Sequence, residues 1–396
     1  MGQPPNLSDA ARDEGVSGEE GEEGEEGEEG EEGEEEVGLG SLGGGSSSVD
    51  DVVMTIVGDS SDGVNNPRDL AFNPGAEGEL WVVNGPDDSV SIFNNAGTAD
   101  QTSDHVIDPF AMHFMDAPSS IAFGSPLFEL NSAYNFATCQ ESVNTYEGYQ
   151  EGDNFMGPTL WNSHRDVFGE SNPEAVAYWT DLYNYYTDLG SHIDMLHESP
   201  LCMGITHDYD NVYWAFDGYN QSIYRYDFQE DHGIGWDDHD DGIMLRYAEG
   251  EIGYQPGVPS HLVLDQDSRL LYIADTANNR IAILDTETGT EGGYLPKMEP
   301  MTKHFRVDDS ELWTFIDGED FGLKAPSGIE LVNNEFLLVT DNTTGEIIAF
   351  NMVGEEIDRL QTELGEGALM GIFARDIADI WIVDAVGDRV FRIQPK

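Results

Sequence analysis

Basic side chains are scarce in this chain. Sixteen Lys and Arg stand against 79 Asp and Glu in 396 residues, and the lysines number four: Lys297, Lys303, Lys324 and Lys396. Phosphate binding needs clustered cations, so nucleic acid is excluded as a partner. Cysteine is nearly absent as well. Cys139 and Cys202 are too few for a disulfide framework and leave three roles open: one bridge, metal ligands, or buried thiols. No apolar run approaches the ~20 residues of a membrane span, and the first residues lack the apolar stretch of a signal peptide. The start MGQPPNLSDA reads as the trimmed end of an exported protein, with an extracellular or periplasmic address expected and a cytoplasmic one still open.

What is abundant is acid. The formal net charge is −63, and only 16 of the acids fall in the first 49 residues, so the body of the chain is itself strongly anionic. Such a surface repels itself at low ionic strength and is eased by salt or divalent cations. Residues 19 to 48, EEGEEGEEGEEGEEGEEEVGLGSLGGGSSS, are repeated Glu-Glu-Gly followed by a Gly/Ser linker. Like charge and glycine cannot offset the entropy of folding, which makes 1–49 a disordered spacer and 50–396 the folded domain.

From residue 50 the chain turns to short apolar strands separated by Gly, Asp and Asn. Five related segments begin at Pro67, Cys202, Pro259, Pro326 and Met370, and a degraded sixth begins at Pro118. The best preserved, PSHLVLDQDSRLLYIADTANNRIAILD (residues 259 to 285), shows an apolar strand, a polar turn, a second strand ending in Asp, and a third. The equivalent aspartates Asp217, Asp275, Asp341 and Asp384 are separated by 58, 66 and 43 residues. The last interval is that of a propeller repeat of ~40 to 45 residues, and the longer ones imply insertions.

The segment LLYIADTANNRIAILD with its preceding PSHLVLD resembles the NHL repeat, and the resemblance extends over most of residues 52 to 396. It implies an all-β, six-bladed β-propeller, four antiparallel strands to a blade. The strand VVMTIVG (residues 52 to 58) is expected to close the ring beside RVFRIQP, which removes the exposed sheet edges. A helical insertion before blade three is expected from NPEAVAYWTDLYNYY, with its N-terminal Asn-Pro.

Loops entering the blades share one face, called here the upper face. Placing the insertions 172–202 and 297–324 there gathers His192, His197, Cys202 and His261 at one rim of the channel, a donor set suited to Zn or Cu. A second cluster falls on the lower face, where His232, Asp237, His239 and Asp241 stand in one hairpin and His207 in a neighbouring turn. Its oxygen-rich character suits Ca²⁺, although the spacing of an EF-hand is missing.

Within the resemblance, the peptidylglycine amidating lyase is a six-bladed propeller with Zn on channel histidines, and the propeller lactonases hold a channel Ca²⁺ on Glu, Asn and Asp. Here His261 lies one position from the place of a blade-opening histidine, and Asp69, Asn84, Asn220 and Asn278 provide oxygen donors. No phosphate loop, dinucleotide fingerprint or serine elbow occurs. The expectation is a monomeric binding scaffold for a protein, glycan or small molecule on its upper face, with a metal-dependent lyase or hydrolase as the alternative.

Overall fold

The computed structural model describes residues 38–126, 133–143 and 156–396, and the acidic repeat of the tail lies outside them. The sheets are six, arranged as the blades of a propeller. The inner strands are Pro67–Phe72, Pro118–Pro126, Cys202–His207, Leu262–Leu264, Pro326–Val332 and Leu369–Asp376. Each pairs antiparallel with the next strand of its own blade. The degraded second copy does form a blade, through Tyr134–Gln140 and Thr159–Asn162.

The ring closes as the sequence predicts. Val52–Gly58 runs antiparallel to Arg389–Pro395, with Met54 opposite Ile393 and Ile56 opposite Phe391, and serves as the outer strand of blade six. Ahead of it, Gly38–Ser48 lies on the propeller rather than away from it. Leu42 is fully buried, Ser41 donates to the Ile377 carbonyl, and Ser48 bridges to Gln361 of blade five.

The repeated aspartate has a local task. Asp217 accepts from the backbone N–H of Tyr219 and Asn220, Asp341 from Thr343 and Thr344, and Asp384 from Val386 and Gly387. Each carboxylate thereby shapes the turn from second to third strand. Apolar faces of neighbouring blades meet between the sheets, where Trp81, Trp161, Trp214 and Trp381 are buried.

Both insertions sit elsewhere than expected. The helix Pro173–Tyr183 forms, capped by Asn172, whose side chain accepts from Glu174 N–H. It connects the third and fourth strands of blade two, because His192–Met195 pairs with Thr159–Asn162 as that blade's outer strand. Likewise Leu312–Asp317 is the outer strand of blade four. The chain before it makes a hairpin, Thr290–Tyr294 with Lys303–Asp308, which adds in parallel to Ile243–Tyr247 and widens blade three to six strands. Connections from third to fourth strand belong to the lower face, so the helix and the hairpin are there. Strands of four to six residues carry too little alternation to be told from the loops around them.

Candidate functional site

Around the channel, one position of each blade meets its equivalents: Asp69, Ser120, Gly204, His261, Gly328 and Gly371. Three are glycine because the inner strands approach closely. A Cβ on Gly204 would lie 2.1 Å from the Ser260 carbonyl oxygen, one on Gly328 2.2 Å from that of Met370, and one on Gly371 2.5 Å from Asp69 Oδ1. The space so created is filled from the other side of the ring. His261 of blade four reaches across the channel, its Nε2 3.3 Å from the Ser119 carbonyl of blade two and its Nδ1 3.7 Å from Asp69 Oδ1 of blade one.

Above this level the channel is bridged. Arg68 of blade one binds Glu141 Oε2 at 3.1 Å and the Gly257 carbonyl at 3.0 Å, and Glu141 Oε1 takes Tyr254 Oη at 2.8 Å and Gly257 N at 2.6 Å. These contacts span blade one, blade two and the loop entering blade four, so the upper face offers a latch where a ligand site was expected. Below it lies a cavity of about 340 Å³ that runs from the Asp69 level toward Pro74, Phe123 and His207 at the lower face.

Two carboxyl groups stand in that cavity, and none of its lining residues is Lys or Arg. Asp69 accepts from Leu70 N–H at 2.8 Å and Ile121 N–H at 3.0 Å, yet burial still raises its pKa. Glu330 is raised to about 8, first by burial and then by the charge of Asp69. Its side chain is half-buried and faces the channel space, so water in the channel softens this shift. Ser120 Oγ, at the equivalent point of blade two, is buried with no hydrogen-bond partner.

The raised pKa of Glu330 has a consequence for stability. Between its ordinary value of 4.5 and about 8 the folded chain holds a proton that the unfolded chain has lost, so stability falls as pH rises through that window. With channel water softening the burial, the loss is on the order of 2 kcal/mol. Denaturant unfolding at pH 5 and pH 8.5 should show this slope in the native protein and a flatter one in Glu330→Gln. An unchanged slope in the variant would assign it to other groups.

The histidines are not gathered at one rim. His261 is in the channel, and Cys202 is joined to Cys139 in a disulfide, which removes it as a metal ligand. His207 is at the lower mouth, its Nε2 3.0 Å from the Asp210 carbonyl, and burial lowers its pKa. His192 and His197 flank the outer strand of blade two and converge on the lower hairpin of blade three. Their rings lie 5.8 and 5.9 Å from that of His239. The upper and lower clusters expected from the sequence are thus largely one cluster, below.

His239 is its centre. Nδ1 is 2.9 Å from Asp194 Oδ1 and Nε2 3.1 Å from Asp237 Oδ1. Burial opposes its charge, but the two carboxylates prevail and raise it to about 10. Burial, with the charge of His239, lowers His192 and His197 to about 3, and burial lowers the neighbouring His113 to about 4. Beside them His232 Nε2 lies 2.9 Å from Asp241 Oδ1. Asp194, His113 and Glu330 are not among the donors that the sequence singles out. For Glu330 a signal existed, since it stands two residues after Gly328 and so shares its channel-facing side.

A further cavity of about 410 Å³ lies by the helical insertion, lined by Tyr183, Tyr185, Tyr186 and Phe110 among others. The aromatic run there divides its work. Trp179 packs into the core, while Tyr185 and Tyr186 are exposed.

No protein-family model and no curated protein matches the chain. Solved structures do. A structural-genomics protein of unknown function from Bacteroides thetaiotaomicron aligns over 86% of this chain and 75% of its own, at 11% identity and a TM-score of 0.50. An auxiliary nutrient binding protein from Bacteroides ovatus aligns over 87% and 77%, at 12% identity and 0.49. A virginiamycin B lyase from Staphylococcus aureus aligns over 87% and 99%, at 11% identity and 0.46. At such identities the likeness is one of fold alone.

Proposed function

We propose that this protein is an exported binding propeller whose channel takes a small organic cation, an amine with an apolar body. The observation that carries the reading is the pairing of Asp69 and Glu330 in one cavity without a Lys or Arg to neutralise them. Ile121, Ile205, Ile329, Ile372 and Phe373 supply apolar walls. Two carboxyl groups held out of bulk water are costly to ionise, and an ammonium group lifts that cost. The volume suits a small ligand, and the anionic body draws cations toward the lower mouth. His261 enters as the residue that positions Asp69, while the latch of Arg68 and Glu141 closes the far end.

The Cys139–Cys202 bridge supports an oxidising compartment, and no helix among the described residues is long and apolar enough to cross a membrane. Because a cation entering the cavity displaces the proton on Glu330, binding should tighten as pH rises toward about 8. A thermal-shift panel of small amines, with alcohols and carboxylates of the same shape, tests the reading at pH 6 and pH 8. Amines alone should stabilise the protein, and more at pH 8. Stabilisation by carboxylates, or by none of the panel, would overturn it.

A further inference from the structure

At the seam between blades two and three, three donors come together from two elements. Asp194 belongs to the outer strand His192–Met195 of blade two, and His232 and Asp241 to the lower hairpin of blade three. One ligand atom from each lies within 4.8 Å of the others. Proximity of acids alone would say little in so anionic a protein. What distinguishes this place is Asp194, which is fully buried and has one oxygen spent and one unspent. Oδ1 accepts from Met195 N–H at 2.7 Å and faces His239 Nδ1 at 2.9 Å, while Oδ2 has no partner. A buried carboxylate oxygen left without hydrogen or cation is costly, and folds seldom retain one without a use.

We propose that Asp194, His232 and Asp241 bind one Zn²⁺-like divalent ion that ties blade two to blade three. One imidazole and two carboxylates are a donor set for Zn²⁺, whose ligands at about 2.0–2.2 Å require donor atoms about 3.3–3.6 Å apart. Closing from within 4.8 Å is a matter of side-chain rotation in His232 and Asp241, which are partly exposed at 16% and 33%. The ion replaces the hydrogen bond between His232 Nε2 and Asp241 Oδ1, and water completes the tetrahedron. Ca²⁺ is disfavoured, because it seeks six to eight oxygens and gains little from imidazole. Neighbours hold the donors in place: His239 and Met195 N–H fix Asp194, and Glu230 N–H binds Asp241 Oδ2 at 3.1 Å.

The inference is independent of the channel ligand, and its test uses none. The full chain, stripped with chelator, is dialysed against micromolar Zn²⁺ in the presence of millimolar Ca²⁺, which occupies the acidic tail, and bound metal is counted by mass spectrometry. The protein should retain one equivalent of Zn²⁺, and its melting temperature should rise with Zn²⁺. His232→Ala, at a partly exposed position where folding is not at stake, should bind at least about tenfold more weakly and lose that rise. Asp241→Asn should behave alike. Equal Zn²⁺ on native protein and His232→Ala, displacement by Ca²⁺, or no retained Zn²⁺ would each overturn the site.

Discussion

A chain reduced at Cys139 and Cys202, or carrying Ala at both, is expected to lose about 4 kcal/mol of stability. The two residues are 63 apart, and closing a loop of that length removes this much entropy from the unfolded chain in the chain-entropy account. The loop holds the third and fourth strands of blade two and its helix, so the bridge is the covalent tie between the second strand of blade two and the inner strand of blade three. Both sulfurs are buried in the seam with Ile205 and Tyr213. Guanidinium unfolding of oxidised and reduced protein measures the difference. A change under 1 kcal/mol would mean that the bridge does little to limit the unfolded ensemble and that packing between the blades holds the seam.

Truncation separates the tail from the closure. A chain beginning at residue 38 should melt as the full chain does, whereas one beginning at residue 59 should aggregate or unfold. The second cut removes Val52–Gly58 and leaves the strand Arg389–Pro395 with an unpaired edge. It also strips buried Leu42, Val52 and Val57, each contributing roughly 1.5–3 kcal/mol. Melting curves and light scattering on the two truncations decide the matter. A stable, monomeric chain from residue 59 would show that the ring does not depend on its closing strand.

These outcomes rest on features of unequal visibility in the sequence. The blades were legible because Asp217, Asp341 and Asp384 each cap the turn from second to third strand, and Asp275 holds its own turn through the Asn278 and Arg280 side chains, so an aspartate recurs wherever that turn does. The closing strand was legible from its apolar run ahead of the first blade and from the need to leave no edge. The site was much less so. His192–Met195 is a strand of four residues, too short to show a period, and reading it as the tail of an insertion moved His192 and His197 to the wrong face. Asp194 looks like any loop acid until the strand buries it. The hairpin Thr290–Asp308 docks on blade three through parallel pairing, a contact between distant segments that no local pattern records. His261 stands out in the sequence as a blade-opening donor, but its partners, Asp69 and the Ser119 carbonyl, come from blades one and two and emerge only when the ring is closed.

The channel is the central feature of the proposed function. Its direct test is calorimetric titration of the best amine from the panel into native protein, Glu330→Gln, and Ile205→Trp, which fills the cavity. The amine should bind native protein with proton release, bind Glu330→Gln at least about tenfold more weakly as a charge contact in the channel is lost, and not bind Ile205→Trp. Equal affinity for all three proteins would place the ligand elsewhere and contradict the proposed function.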